Sequence, residues 1–208
     1  MPADVRLSAF AEITRHTRDM IRNRENKGDA PWRDAAPDGG QRRYNAFHGT
    51  ALILSEMLTA QGVSLADAGV CVRTQEAALS AVFKAINEGR PEDRFVTAMY
   101  DCEEDPIAGP RWILTPYSLG AGTAEEIAAA VASSLGKVGQ DLYMTSRYGP
   151  ARRIGGPHLS VASVLEAYRL LKIRAKEAGY IVDGLDIHKI AKGEDEDAGS
   201  ENSVQVDQ

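Results

Sequence analysis

The chain has 208 residues, 43% of them hydrophobic and 26% charged, which is room for one domain of ordinary size with its own core. Net charge is −6, but the segment 194–208 holds six acids (Glu194, Asp195, Glu196, Asp197, Glu201, Asp207) and no base, so residues 1–193 balance 24 basic against 24 acidic side chains. The acidic character therefore belongs to a tail, and partners are to be judged from local charge in the body. No apolar run approaches the ~20 residues needed to cross a bilayer. The start, Met1-Pro-Ala-Asp-Val-Arg-Leu7, lacks the regions of a signal peptide. The expected location is cytoplasmic, with no membrane partner.

In chain order, residues 4–26 read as one amphipathic helix, with Phe10, Ile13, Thr17, Met20 and Ile21 at helical spacing and Arg15, Arg18 and Arg22 on a solvated face. A turn-rich stretch follows, carrying Pro31-Trp32-Arg33 and Arg42-Arg43-Tyr44. A second helix is predicted over 46–61, with Leu54, Met57 and Leu58 inward. After it comes a short apolar run, Val70-Cys-Val72, readable as a strand. Thr74 is then the expected cap of a helix with Leu79, Val82, Phe83 and Ile86 at helical spacing, closed by Gly89.

The clearest organisation lies at 94–136. Arg94-Phe-Val-Thr-Ala-Met-Tyr-Asp101 and Arg111-Trp-Ile-Leu-Thr-Pro-Tyr-Ser118 read as strands joined by a nine-residue acidic connection, 102–110. Gly120-Ala-Gly122 then opens into Thr123-Ala-Glu-Glu126, a capping box for a helix over 123–135. Further strands are expected at 142–145 and 180–182. Between them Ser160 is the expected cap of a helix running to Ala178, ended by Gly179. The fold class is α+β: a small, mainly antiparallel sheet centred on 94–118 and packed by about five helices, over residues 1–193. The acidic tail, 194–208, cannot offset its ordering entropy by burial and is expected to be disordered.

Four candidate sites follow from residue chemistry. The glycine turn at 119–123 sits where a helix amino terminus favours an anion, but it has neither a Walker lysine nor a third glycine, and a tight turn explains it better. His48-Gly-Thr50 and His158-Leu-Ser160 match the paired His-x-Thr/Ser segments of two-histidine phosphoesterases. There one imidazole activates the attacking oxygen, the other protonates the leaving oxygen, and the hydroxyls hold phosphate. The loop Ser146-Arg-Tyr-Gly-Pro-Ala-Arg-Arg-Ile-Gly-Gly-Pro-His158 offers what single-stranded nucleic acid needs, guanidinium groups for phosphates (Arg147, Arg152, Arg153) and an aromatic face for a base (Tyr148). Trp32, Arg33, Arg42, Arg43 and Tyr44 repeat that mixture in the earlier loop, where a tryptophan just after a proline is usually a lid on the core and can also be a stacking platform. No cofactor or metal is expected: the four histidines show no His-Glu-x-x-His helix and the two cysteines no Cys-x-x-Cys knuckle.

The order of a helix, Pro31-Trp32, Tyr44 before an apolar helix, Thr74-Gln-Glu-Ala77, and Val96 to Tyr100 in a strand resembles the amino-terminal domain of ArdC-type antirestriction and plasmid primase proteins, over roughly residues 8–119. The resemblance implies binding of single-stranded DNA and carriage on a plasmid, phage or other mobile element. Where that family shows Gly-x-Asn after the tyrosine, this chain has Phe47-His-Gly-Thr50, and the family's His-Glu-x-x-His protease helix is absent. The leading expectation is thus a non-enzymatic binder of single-stranded nucleic acid. The alternatives are a phosphoesterase acting on a cyclic nucleotide or cyclic phosphate, and an inhibitor or interaction module that binds another protein.

Overall fold

A computed structural model describes residues 4–33, 42–105, 109–114, 121–133 and 158–190 of the chain. Strand β1 (Val5–Arg6) leads into α1 (Leu7–Thr14), which stops at Arg15 in the left-handed region (φ 59°). Thr17 then caps α2 (Arg18–Lys27), accepting from the Met20 amide at 3.1 Å. The single helix expected over 4–26 is therefore two. The apolar spacing runs through the break because both helices bury into the same core through Phe10, Ile13 and Ile21, whereas Met20 is 49% exposed.

Strand β2 (Arg43–Tyr44) pairs antiparallel with β1, in register Val5↔Tyr44 and Arg6↔Arg43. It feeds α3 (Ala46–Ala60), whose first ten residues are buried except Phe47. This central helix packs on α7 (Val164–Glu177), and Gly49 is the contact point: a Cβ there would lie 2.6 Å from Leu171 Cδ1.

Two helices follow with one residue between them, α4 (Leu65–Thr74) and α5 (Glu76–Asn87). The expected strand at 70–72 is the middle of α4. The Ser64 cap, accepting from the Asp67 amide at 3.2 Å, starts a helix upstream of an apolar run too short to declare its own periodicity. Thr74 caps nothing; its hydroxyl donates back to the Val70 and Cys71 carbonyls, and so it ends α4.

The sheet has β3 (Phe95–Asp105) at its centre, β4 (Gly109–Leu114) on one side and β5 (His158–Ser163) on the other, all antiparallel. The two expected strands do pair, but through a tighter connection. Residues 102–105 and 109–110, read as loop, extend the ladder to Asp105↔Gly109. The third strand is β5, where the sequence suggested a helix. Ser160 is paired with Ala98 in the sheet, and the helix cap is Ser163, which accepts from Glu166 N at 2.9 Å and donates to Asp93 at 2.7 Å. A second carboxylate oxygen of Asp93 takes the Leu165 amide, so two side chains fix the start of α7.

Thr97 and Val161 are register partners, and each offers its outward amide and carbonyl to a glutamine. Gln75 donates to Thr97 O at 2.7 Å and accepts from Thr97 N at 3.0 Å. Gln61 does the same for Val161, at 2.8 and 3.0 Å. Two side-chain amides thus complete the ladder on both sides of this row, where a bare edge would leave backbone groups open.

Helix α6, whose described part is 124–133, carries the capping box read from the sequence. Glu126 N donates to Thr123 Oγ1 at 3.3 Å and Thr123 N to Glu126 Oε2 at 2.8 Å. Gly122 ties it to β3 through both backbone bonds to Phe95. Strands β6 (Tyr180–Asp183) and β7 (Asp186–Lys189) form their own hairpin and do not extend the sheet as expected for 180–182. The hairpin turn docks on the start of α3, where Ala46 N donates to Leu185 O at 3.0 Å. The fold is α+β, with every strand pairing antiparallel and seven helices among the described residues. One continuous cluster of buried side chains runs from Val5 to Ile187. The expected strand at 142–145 and the tail 194–208 lie outside the described residues.

Candidate functional site

The aromatic residues singled out in the sequence converge. Phe10 and Tyr44 stack at 4.3 Å between centroids with planes 12° apart, and Trp32 stands edge-on to Phe10, Tyr44 and His48 at 6.3, 6.2 and 5.3 Å. They converge inside the core: Trp32 is 4% exposed and Tyr44 1%. Arg42 closes the cluster from outside, its guanidinium 5.5 Å from the Trp32 ring and 5.7 Å from that of Tyr44. Its Nε lies 3.1 Å from Glu25, an ion pair. Glu25 also accepts from the Tyr44 hydroxyl at 3.1 Å. Burial first, then the Glu25 charge, pushes that phenol well above its usual pKa. As open stacking platforms Trp32 and Tyr44 are therefore corrected. Their faces are already covered, and Arg42 is held by Glu25.

The two-histidine arrangement fails on geometry. His48 sits in the first turn of α3, 7% exposed, with Nδ1 2.7 Å from Asn45 Oδ1 and 3.2 Å from Asn45 N, where it completes the cap. On a helix, residues two apart point about 200° away from each other, so His48 and Thr50 cannot converge on one phosphate. His158 and Ser160 both lie in β5, but Ser160, like Thr50, is fully buried, each of these two hydroxyl oxygens without a hydrogen-bond partner among the described residues. Three of the four groups are core residues.

What the backbone brings to the surface is a group of arginines. The β1–β2 register sets Arg6 directly across from Arg43, both exposed, and among the described residues the Arg43 side chain reaches only the Asp4 carbonyl, at 3.4 Å. Like charges opposite one another in a ladder are unfavourable. Arg22 is close enough for its charge to act on the Tyr44 hydroxyl. Among the described residues, neither Arg6 nor Arg22 has a carboxylate within 4 Å. Arg33 is exposed, 4.0 Å from Glu76. Arg147, Tyr148, Arg152 and Arg153 lie outside the described residues. Sequence reasoning reached Arg43 but not Arg6, whose role depends on a strand of two residues that carries no periodicity of its own.

A second feature was missed altogether. The left-handed turn at Arg15 swings His16 toward α3, where its Nε2 is 3.1 Å from Glu56 and its Nδ1 2.9 Å from the Thr14 carbonyl. Arg174 of α7 binds the other Glu56 oxygen at 3.0 Å. Beside this triad opens a cleft of about 390 Å³ between α2, α3 and α4, with Arg24 in its lining. No spacing rule could have found it, since its members come from several elements.

Among the described residues, no group of three or more His, Cys, Asp or Glu side chains could hold a metal ion, and no helix is long and apolar enough to cross a membrane. Cys71 is a buried free thiol, its pKa pushed up to about 11 by burial and then by Asp67, which keeps it protonated and inert near neutral pH. The described residues thus define an α+β protein with a basic ribbon and a cleft that has Arg24 in its wall. No family model matches the chain, and no curated protein does either.

Proposed function

We propose that this chain is a non-enzymatic nucleic-acid-binding protein that takes single strands, holding phosphates with the β1–β2 arginines and with Arg147, Arg152 and Arg153 of the basic loop. The observation that carries the reading is the exposed Arg6–Arg43 pair with Arg22 nearby. Among the described residues no carboxylate pairs with either of these two arginines, which lie opposite each other in the ladder, and a phosphate backbone supplies the missing charge. Stacking falls to Tyr148, since Trp32 and Tyr44 serve the core. The likeness of residues 8–119 to the ArdC-type domain points the same way, to single-stranded DNA in the cytoplasm and to a plasmid or phage setting.

A body with balanced charge offers no general attraction for a polyanion, so binding rests on these clusters and favours flexible strands over duplex. Fluorescence anisotropy of labelled oligothymidylate and of a duplex of equal length, titrated at low salt, tests it. Tighter binding of the single strand is expected. Absence of binding to either form refutes the reading and leaves the protein-interaction alternative in its place.

A further inference from the structure

Arg24 is the one buried arginine of the described residues, 5% exposed, in the wall of the 390 Å³ cleft. Of its five N–H donors, one reaches Ser55 Oγ at 3.0 Å and another the Asp29 carbonyl at 3.4 Å; Nε has no partner. No carboxylate of the described residues lies within ion-pair distance. Burial lowers the guanidinium pKa, and the more distant Asp29 and Glu56 charges only oppose that effect. A buried charge left in this state is costly, and the usual remedy is a counter-ion in hydrogen-bonding contact.

The rest of the lining says which counter-ion. Glu56 is already held by Arg174 and His16. That leaves Arg24 and Lys27 against Asp29, one positive charge in excess. Met20 and Leu65, 49% and 46% exposed, also line the cleft, so apolar surface stands open beside a buried cation. The volume lies in the range of small-molecule pockets. We propose that this cleft binds a small organic monocarboxylate, its carboxylate on the Arg24 guanidinium and its apolar body against Met20 and Leu65. A planar guanidinium matches a carboxylate better than any other side chain does. One excess charge favours a monoanion over a phosphate dianion. The site is separate from the β1–β2 arginines and stands without the nucleic-acid reading.

The test is a thermal-shift and calorimetric titration of the full chain with straight-chain carboxylates from acetate to octanoate, with hexanol, hexylamine and inorganic phosphate as controls. Saturable stabilisation by hexanoate, and by none of the controls, is expected. Affinity should rise with chain length by up to about fourfold per methylene. Arg24→Met should weaken hexanoate binding at least tenfold while leaving oligothymidylate affinity unchanged. Leu65→Ser, an exposed change that keeps the fold, should retain carboxylate binding but flatten the dependence on chain length. This second variant decides the matter if Arg24→Met does not fold. Equal stabilisation by hexanol or phosphate, an undiminished hexanoate response in Arg24→Met, an undiminished chain-length dependence in Leu65→Ser, or no response to any carboxylate overturns the proposal.

Discussion

Replacing Gly49 by alanine should destabilise the protein, against the rule for helices. At an open helical position the change gains about 1 kcal/mol of propensity. Here the added methyl would sit 2.6 and 2.9 Å from the two Leu171 methyls and 3.4 Å from Leu171 Cγ. Leu171 is fully buried, so it has no route to solvent and must change rotamer against its neighbours or push α7 away from α3. Overpacking of this kind costs about 1–3 kcal/mol, enough to cancel the propensity gain and leave a net loss of up to about 2 kcal/mol. In a chain of this size each kcal/mol moves Tm by about 2–4 °C. The double variant Gly49→Ala/Leu171→Ala supplies the control. Leu171→Ala alone should cost about 2–5 kcal/mol by leaving a cavity, and the Gly49 methyl should then fill part of it. The two changes should therefore be far from additive, with the second substitution partly rescuing the first. Urea denaturation of all four proteins, with a common m value, measures the cycle. A Gly49→Ala protein more stable than the parent, or strict additivity, would show that α3 and α7 do not meet at this point.

Three further outcomes follow from other parts of the molecule. Gln75→Leu strips partners from the buried Thr97 amide and carbonyl, so it should cost about 1–3 kcal/mol for each group left unpaired; Gln61→Leu, at an exposed edge where water can replace the amide, should cost clearly less in the same melts. The Cys71 thiol, raised from 9.0 to about 11, favours the folded state while protonated, so its contribution is complete below about pH 9 and is lost as pH rises toward 11. Cys71→Ala should show a flatter stability profile than the parent over that window, and native Cys71 should resist alkylation at pH 7. Tyr148→Ala should cost about 1–3 kcal/mol of single-strand binding with no change in salt dependence, because stacking displaces no counterions.

How far the sequence could carry this account depends on where each signal resides. The capping box at Thr123–Glu126, the pairing of the strands around 94–114, and the glycine stops at Gly89 and Gly179 are local, and local chemistry made them legible. The break after Thr14 was not, because a left-handed non-glycine residue has no sequence signature and the apolar spacing continues across it. In His158-Leu-Ser-Val-Ala-Ser163 either serine can cap a helix. Only the Asp93 carboxylate, seventy residues upstream in sequence, selects Ser163 and leaves the rest to the sheet. Of the cluster of Trp32, Arg42 and Tyr44, the core role was legible for Trp32 alone, as a lid after a proline, since arginine over an aromatic ring is the same composition whether it seals an interior or awaits a base. The Arg6–Arg43 pair and the Arg24 cleft depend on tertiary register, which spacing along the chain does not encode.

The measurement that bears most directly on the proposed function is the salt dependence of oligothymidylate binding by the parent chain and by the Arg6→Ser/Arg43→Ser double variant. Both side chains are exposed and repel each other across the ribbon, so the variant should fold at least as well as the parent. On a single strand each neutralised phosphate contributes about −0.7 to the log–log slope, so losing two contacts should make the slope shallower by about 1.4 and weaken binding at low salt. An unchanged slope and affinity in a folded double variant would contradict the account, because the ribbon would then carry no phosphate.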